Sequence, residues 1–329
     1  MRVFFVHSGN ENFVQLDHEL LNDLADVQDF HASQKFPRGL NTYLHGIRKA
    51  DLVFGWFASW NSLWSLILAK LFHKPSILVI GGYDVANLPE ADYGHQRGGV
   101  QKWVSCWAMN LATVLLPFSR FSQEEAEKNA GIPAQRMKMT YIGIPDPFNS
   151  MPRRAKERMA LTVGKVDWSN LKRKGLESFV RAAAYLPDVQ FVLVGEWADK
   201  AIEHLRKMAS ANVLFTGRVT EAELLDYYRK ASVYVQASLH EGFGLSVAEA
   251  MLAGCIPVVT QVGALPEVVG DCGFYCLSDS LESLVQSVRS SLDLPMKARL
   301  KIRNHVLMEF TVEKRKRTLL MELQNFCMY

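Results

Sequence analysis

Runs of strand length alternate with stretches of helical spacing along this chain. RVFFV (Arg2–Val6), DLVFGW (Asp51–Trp56), SILVI (Ser76–Ile80), TVLLP (Thr113–Pro117) and MTYI (Met139–Ile142) are the apolar runs of the first half. Strands that are apolar throughout are covered on both faces, and strands separated by helices pair in parallel, so the pattern predicts a doubly wound α/β layer. WNSLWSLILAKLF (Trp60–Phe72) has apolar positions at 60, 63, 64, 67, 68 and 71, which is helical spacing. It falls short of the roughly 20 apolar residues that cross a bilayer and predicts a core helix. Ser122 and Glu125 have capping-box spacing, with Gly131 as the stop.

IGIPDPFNSMPRR (Ile142–Arg154) breaks this rhythm with prolines and reads as a hinge. The alternation then restarts with MALTVG (Met159–Gly164), FVLVG (Phe191–Gly195), VLFTG (Val213–Gly217), VYVQAS (Val233–Ser238) and IPVVT (Ile256–Thr260). The intervening helices include one with apolar positions 176, 179, 180 and 183 and one capped by Thr220 and Glu223. The expected division is an N-terminal domain over 1–148 and a C-terminal domain over 149–311. An amphipathic helix over about 312–329, apolar at 312, 319, 320, 323 and 326, is expected to cross back to the first.

Composition narrows the class. A chain of 329 residues suits two domains, and 49% hydrophobic with 22% charged residues is ordinary for a globular protein. The net charge of +3 and the absence of any nucleic-acid motif argue against nucleic acid as a partner. The basic runs PRRAKER (Pro152–Arg158) and EKRKR (Glu313–Arg317) suit either peripheral contact with anionic lipid headgroups or solvated faces. Five scattered cysteines make no disulfide framework, Cys272 and Cys276 read as small core residues, and no export signal opens the chain, so a cytoplasmic setting is expected.

HEGFGLSVAEAMLAG (His240–Gly254) concentrates the candidate chemistry. Gly242 and Gly244 keep Glu241 in a loop, and a helix is expected to start near Leu245 or Ser246 and stop at Gly254. Ser246 and Glu249 have capping-box spacing, so Glu249 is either a cap or a ligand group. A helix N-terminus there offers amides and a positive dipole end to an anion such as a diphosphate. The two glutamates, eight residues apart, would lie on the order of 12 Å apart in a helix, too far for a glycosidase pair at about 5 to 10 Å. They suit the two ends of one long ligand, such as a sugar nucleotide. His7, His95 and His240 fall in expected loops and are either assistants or ordinary core and surface residues.

The run EGFGLSVAEAMLAGCIPVVTQVGALPEVV (Glu241–Val269) resembles the nucleotide-sugar site of the retaining glycosyltransferases of family 4. LTVGKVDWSNLKRKG (Leu161–Gly175) resembles the diphosphate-clamping loop of that family, NVLFTGRV (Asn212–Val219) its base-binding loop, and LVIGGYDVANLPE (Leu78–Glu90) its acceptor-side loop. The resemblance implies the GT-B fold, two Rossmann-like doubly wound domains facing across a cleft. It also implies metal-independent transfer, without a cofactor, from a nucleoside-diphosphate sugar to a hydroxyl on a glycan, lipid or small molecule. Carried over to this chain, Glu241 holds the donor sugar beside the anomeric carbon, Lys174 holds phosphate, and Glu249 accepts from the ribose. Gly242, Phe243, Gly244 and Leu245 present backbone amides. Lys165 stands where the family has arginine, with Lys172 and Arg218 as further candidate cations. Asp84 matches the acceptor-side acid, Gly81 replaces the usual histidine, and Gly9 alone remains of the glycine-rich turn after the first strand. A non-catalytic sugar-nucleotide-binding protein, an epimerase and a phosphorylase are the alternatives on the same architecture.

Overall fold

Val3, Phe4, Phe5 and Val6 of β1 (Arg2–His7) are buried on both faces of the strand, as their unbroken apolar run requires. In the computed structural model, which describes residues 1–7, 9, 11–31, 40–151 and 154–327, this strand lies in a five-stranded parallel sheet of order β2-β1-β3-β4-β5. The other strands are β2 (Asp26–His31), β3 (Leu52–Trp56), β4 (Ser76–Ile80) and β5 (Val114–Pro117). They alternate with α1 (Asn12–Asn22), α2 (Leu40–Lys49), α3 (Trp60–Leu71), α4 (Gly99–Leu111) and α5 (Arg120–Ala130). Phe4, Phe30, Tyr43 and Ile47 fill one core cluster; Leu63, Leu66, Leu78, Val104 and Ala108 belong to another.

Four sequence expectations change here. Met139–Ile142 forms no strand; the chain near it gives only the Lys138 and Thr140 amides to carbonyls of β5. The strand missed by pattern is β2, whose Asp26, Gln28 and Asp29 break the apolar run at a sheet edge. The cap of α5 is Ser119, which accepts from the Ser122 amide, so the helix starts before the expected box; Gly131 does end it in a left-handed turn. Finally, α3 buries Ser62, Leu63, Ser65, Leu66 and Ala69, while Trp60 and Leu71 of its apolar stripe stay exposed.

The second sheet is also parallel, with order β11-β10-β9-β6-β7-β8. Its elements run β6 (Glu157–Val163), α6 (Trp168–Arg173), α7 (Leu176–Ala182), β7 (Gln190–Val194), α8 (Ala201–Met208), β8 (Val213–Gly217) and α9 (Glu221–Lys230). They continue as β9 (Ala231–Gln236), α10 (Leu245–Leu252), β10 (Ile256–Thr260), α11 (Leu265–Val269), β11 (Phe274–Cys276), α12 (Leu281–Ser291) and α13 (Met296–Glu309). Thr220 and Glu223 form the expected capping box of α9. Cys276 and Cys272 are buried free thiols, and Cys276 joins the core cluster.

Two compact units result. One holds residues 1–89, 93–143 and 310–329, the other 90–92 and 144–309. The last helix, α14 (Val312–Cys327), belongs to the first unit, where Arg315 forms a fully buried ion pair with Asp17 of α1. Lys138 also pairs with Glu322 at 2.7 Å. Several cations of the two basic runs form ion pairs within the protein. Arg158 pairs with Asp188 and Asp293 at 2.8 and 2.9 Å, Arg154 with Asp226 at 2.7 Å, and Lys316 with Asp23 at 2.6 Å. Pro152 and Arg153 of the first run lie outside the described residues. Among the described residues, no helix is long and apolar enough to cross a membrane.

Candidate active site

In an open parallel sheet, ligands bind beyond the carboxyl ends of the strands, where the strand order reverses. In the second unit that point falls between β6 and β9, so the loops leaving these two strands form the candidate site. Both loops carry family-like motifs. Lys174 follows α6 on the β6 side, and Glu241 follows β9. Gly175 allows the first loop to lie against the exit of β9: it has φ +65°, and a Cβ there would come 1.9 Å from the Ala237 carbonyl oxygen. The Lys174 ammonium reaches to 3.7 Å from Glu241 Oε2, with side chains 17% and 15% exposed. The pair is shielded yet open to a ligand, so its charges act in a medium weaker in screening than bulk water.

Several groups hold Glu241 in place. Gln236 Nε2 donates to Glu241 Oε2 at 3.2 Å and to Ser238 Oγ at 2.7 Å. The Tyr234 hydroxyl donates to Gln236 Oε1 at 3.2 Å and accepts from the Val163 amide at 3.3 Å. This polar chain therefore ties the ends of β6 and β9 to the carboxylate. The Ala264 amide donates to the Glu241 carbonyl at 2.9 Å, and Gly263, at φ +60°, makes the approach feasible because a Cβ would lie 2.4 Å from that carbonyl oxygen. No motif singled out Gln236 or Tyr234; both sit in a strand that reads as plain core.

The helix after this loop starts at Leu245, with Gly244 as N-cap and no side-chain cap bond, and Gly254 follows its end at φ +79°. Glu249 makes no capping box. Its Oε2 instead accepts from the buried Tyr228 hydroxyl at 3.0 Å. Burial pushes the Glu249 carboxyl up to about 7, against the lowering effect of the Tyr228 bond and with a smaller push from Glu221. The folded pKa thus exceeds the unfolded one, so the stability tied to the bound proton is complete below about 4.5 and is lost as pH rises through about 7. Glu249→Gln should remove this part of the loss, up to roughly 3 kcal/mol, and make stability fall less steeply between about pH 5 and 8. Urea unfolding across that range checks it; an unchanged slope would contradict the burial of the charge.

The other candidate cations are not brought to Glu241. Lys165 is exposed and lies 3.8 Å from Asp167. Lys172 is exposed and lines a separate hollow of about 260 Å³ with Glu177 and Arg181. The neighbouring Arg173 turns inward, donating to Asn170 Oδ1 at 2.6 Å. Arg218 is exposed after β8, the edge strand. Gly242, Phe243 and Gly244 are buried, with Leu245 partly so. Trp197, which no motif flagged, is 40% exposed and lies beside Gly217, where a Cβ would come 3.6 Å from its ring.

Residues 157–293 match the family model of glycosyl transferases group 1. O-antigen chain mannosyltransferase B of Escherichia coli is 27% identical over 205 residues, 56% of this chain and 53% of that protein. Glycogen synthase of Mycobacterium tuberculosis is 29% identical over 251 residues, 71% of this chain and 61% of the synthase. The chain thus spans less than two thirds of either relative. Among solved structures, Anabaena HepE with UDP and glucose has a TM-score of 0.76 at 17% identity, over 99% of this chain and 100% of that one. Sucrose-phosphate synthase from Thermosynechococcus elongatus has a TM-score of 0.77 at 17% identity, with 100% of both chains covered. The fold is GT-B.

The group 1 match lies within the second unit, and the first-unit candidates have a different character. Asp84 is 1% exposed, and its carboxylate accepts the Ala58 amide at 2.8 Å and the Gly81 amide at 2.9 Å. Burial drives its pKa up to about 7 despite those bonds. It is placed as an anchor for the loop after β4, sealed from solvent. Asp84→Asn leaves one of the amides facing an amino group, so it should cost about 1 to 3 kcal/mol of stability. Thermal unfolding, with nucleotide affinity measured beside it, tests this; lost affinity at intact stability would restore a ligand role. Gly81 has a φ of +147°, which favours glycine, and a Cβ there would lie 2.5 Å from the Phe118 ring, so a side chain at this position would have to displace that ring. Gly9 accepts from His7 Nδ1 at 2.6 Å, and His7 Nε2 also faces Asp29 at 3.1 Å. His95 lies in a short turn and packs its ring on Tyr83, while His240 is buried in the Glu241 loop.

Proposed function

We propose that this protein transfers a sugar from a nucleoside diphosphate to an acceptor hydroxyl with retention of anomeric configuration. The observation that carries the reading is the Lys174 and Glu241 pair at the switch point of the second unit, followed by the α10 N-terminus. A diphosphate takes the ammonium and the helix amides, and sugar hydroxyls donate to the carboxylate, so the two halves of the pair suit the two ends of a donor. As the bond from the anomeric carbon to phosphate oxygen breaks, negative charge grows on the diphosphate, where Lys174 and the helix end stabilise it without a metal. The acceptor oxygen bonds to the same face of that carbon, and the departing phosphate takes the acceptor's proton. Glu249 receives the ribose hydroxyls, and the Trp197 ring borders the base. The mannosyltransferase and glycogen synthase relatives support a hexose as the group moved.

The test is a panel of UDP-, GDP- and ADP-sugars with glycan, lipid and small-molecule acceptors, followed by NMR of the new anomeric centre. Product with the donor's configuration, formed in excess chelator, is expected. An inverted product or an obligate divalent ion would contradict the mechanism. The sealed Asp84 and crowded Gly81 favour a second reading, a sugar-nucleotide-binding protein without turnover, which any transfer product would end.

A further inference from the structure

Of the chain's seven tryptophans, four lie on the neighbouring helices α3 and α4 of the first unit. Trp103 and Trp107 of α4 are 48% and 49% exposed, and Trp60 of α3 is 39% exposed. Val100 at 63% and Leu71 at 64% extend the same exposed faces. The inner faces of both helices are already satisfied: Leu63 and Leu66 of α3 pack with Val104 and Ala108 of α4 in one buried cluster. The outer residues follow helical spacing, at 100, 103 and 107 on one helix and at 60, 64 and 71 on the other, where solvent-facing helices carry polar groups. The indoles pair with each other, Trp103 with Trp107 at 4.3 Å between centroids and Trp60 with Trp64 at 6.5 Å. A concentrated apolar surface of this kind marks an interaction site.

Its charge selects the partner. Neither helix contains an aspartate or glutamate, and their charged residues are Lys70 and Lys102. At the C-terminal ends of both helices a hollow of about 910 Å³ is lined by Lys70, His73, Lys74 and Arg136, with Asp51 as its one carboxylate. Asp51 is itself paired with Arg2. Exposed indoles beside cations match the boundary between lipid headgroups and acyl chains, where an aromatic body is buried and its N–H stays hydrated.

We propose that the outer face of α3 and α4 docks on an anionic lipid bilayer, with Trp103 and Trp107 entering the headgroup boundary and Lys70 and Lys102 meeting lipid phosphates. This surface differs from the two basic runs, which form ion pairs within the protein. The test is sedimentation of the full chain with phosphatidylcholine vesicles, with and without phosphatidylglycerol, alongside tryptophan quenching by brominated lipid. Binding to the anionic vesicles is expected, falling as salt rises. The Trp103→Gln, Trp107→Gln double variant should lose at least about tenfold in partitioning. Its unfolding midpoint is measured beside it. The independent Lys70→Gln, Lys102→Gln variant should lose the preference for phosphatidylglycerol while its indoles remain. Failure of the wild type to bind anionic vesicles overturns the proposal, as does equal binding by both variants. A dimer formed without lipid and dissolved by the tryptophan double variant would assign the face to a second copy instead.

Discussion

Glu241→Gln is expected to lower turnover by roughly a hundredfold or more while leaving the affinity for free nucleoside diphosphate nearly unchanged. The amide keeps the size of the carboxylate and can still meet Gln236, which bonds Glu241 Oε2 at 3.2 Å, so the loop has little reason to move. What disappears is the charge that, in the proposed reading, faces the reacting sugar. In the proposed reading the diphosphate belongs to Lys174, whose ammonium lies 3.7 Å from Glu241, and removing its carboxylate neighbour leaves that ammonium at least as available to phosphate. Steady-state kinetics and nucleotide titration of the same preparation separate these effects. Equal losses in turnover and nucleotide affinity would place Glu241 at the phosphates or in the fold, and unchanged turnover would remove it from the chemistry.

Lys174→Ala should behave in the opposite sense, weakening free nucleoside diphosphate as well as slowing transfer. A charge-assisted hydrogen bond is worth about 1.5 to 3 kcal/mol, or on the order of tenfold to a hundredfold in affinity. The side chain is aimed by its surroundings: Gly164 lets its hydrocarbon pass, a Cβ at that position lying 3.0 Å from Lys174 Cδ. Among the four consecutive residues Lys172 to Gly175, only the third presents a cation to Glu241, because Lys172 points outward and Arg173 folds back onto Asn170. Unchanged affinity in the variant, with loss in Lys165→Ala or Arg218→Ala instead, would transfer the clamp to those cations.

The second-unit loops were readable from sequence because backbone geometry leaves few choices there. Gly244 and the helix that starts at Leu245 are demanded by a chain that turns sharply between β9 and α10, and Gly263, in the turn between β10 and α11, closes on Glu241 from the other side. Strands buried on both faces declared themselves by unbroken apolar runs, as in β4 and β10. Edges did not: β2 carries Asp26, Gln28 and Asp29 and was invisible, while Met139–Ile142 is apolar yet runs beside β5 without becoming a strand. Burial of polar groups was equally hidden. Nothing in the spacing of Asp84 distinguishes an acceptor-side acid from a carboxylate consumed by two backbone amides, and Gln236 acquires its role only when β9 sets it beside Glu241. The capping-box spacing of Ser246 and Glu249 is real but unused, since the helix begins at Leu245 and Tyr228 takes the carboxylate.

In the proposed reading a nucleoside diphosphate binds at the switch point of the second unit through Lys174. Its most direct measurement is the unfolding midpoint of the wild type and of Lys174→Ala, each titrated with UDP, GDP and ADP, because a ligand bound only to the folded state raises that midpoint. A concentration-dependent rise is expected with at least one of the three in the wild type, and a much smaller rise in the variant. No rise with any of them, or the same rise in both proteins, would contradict it.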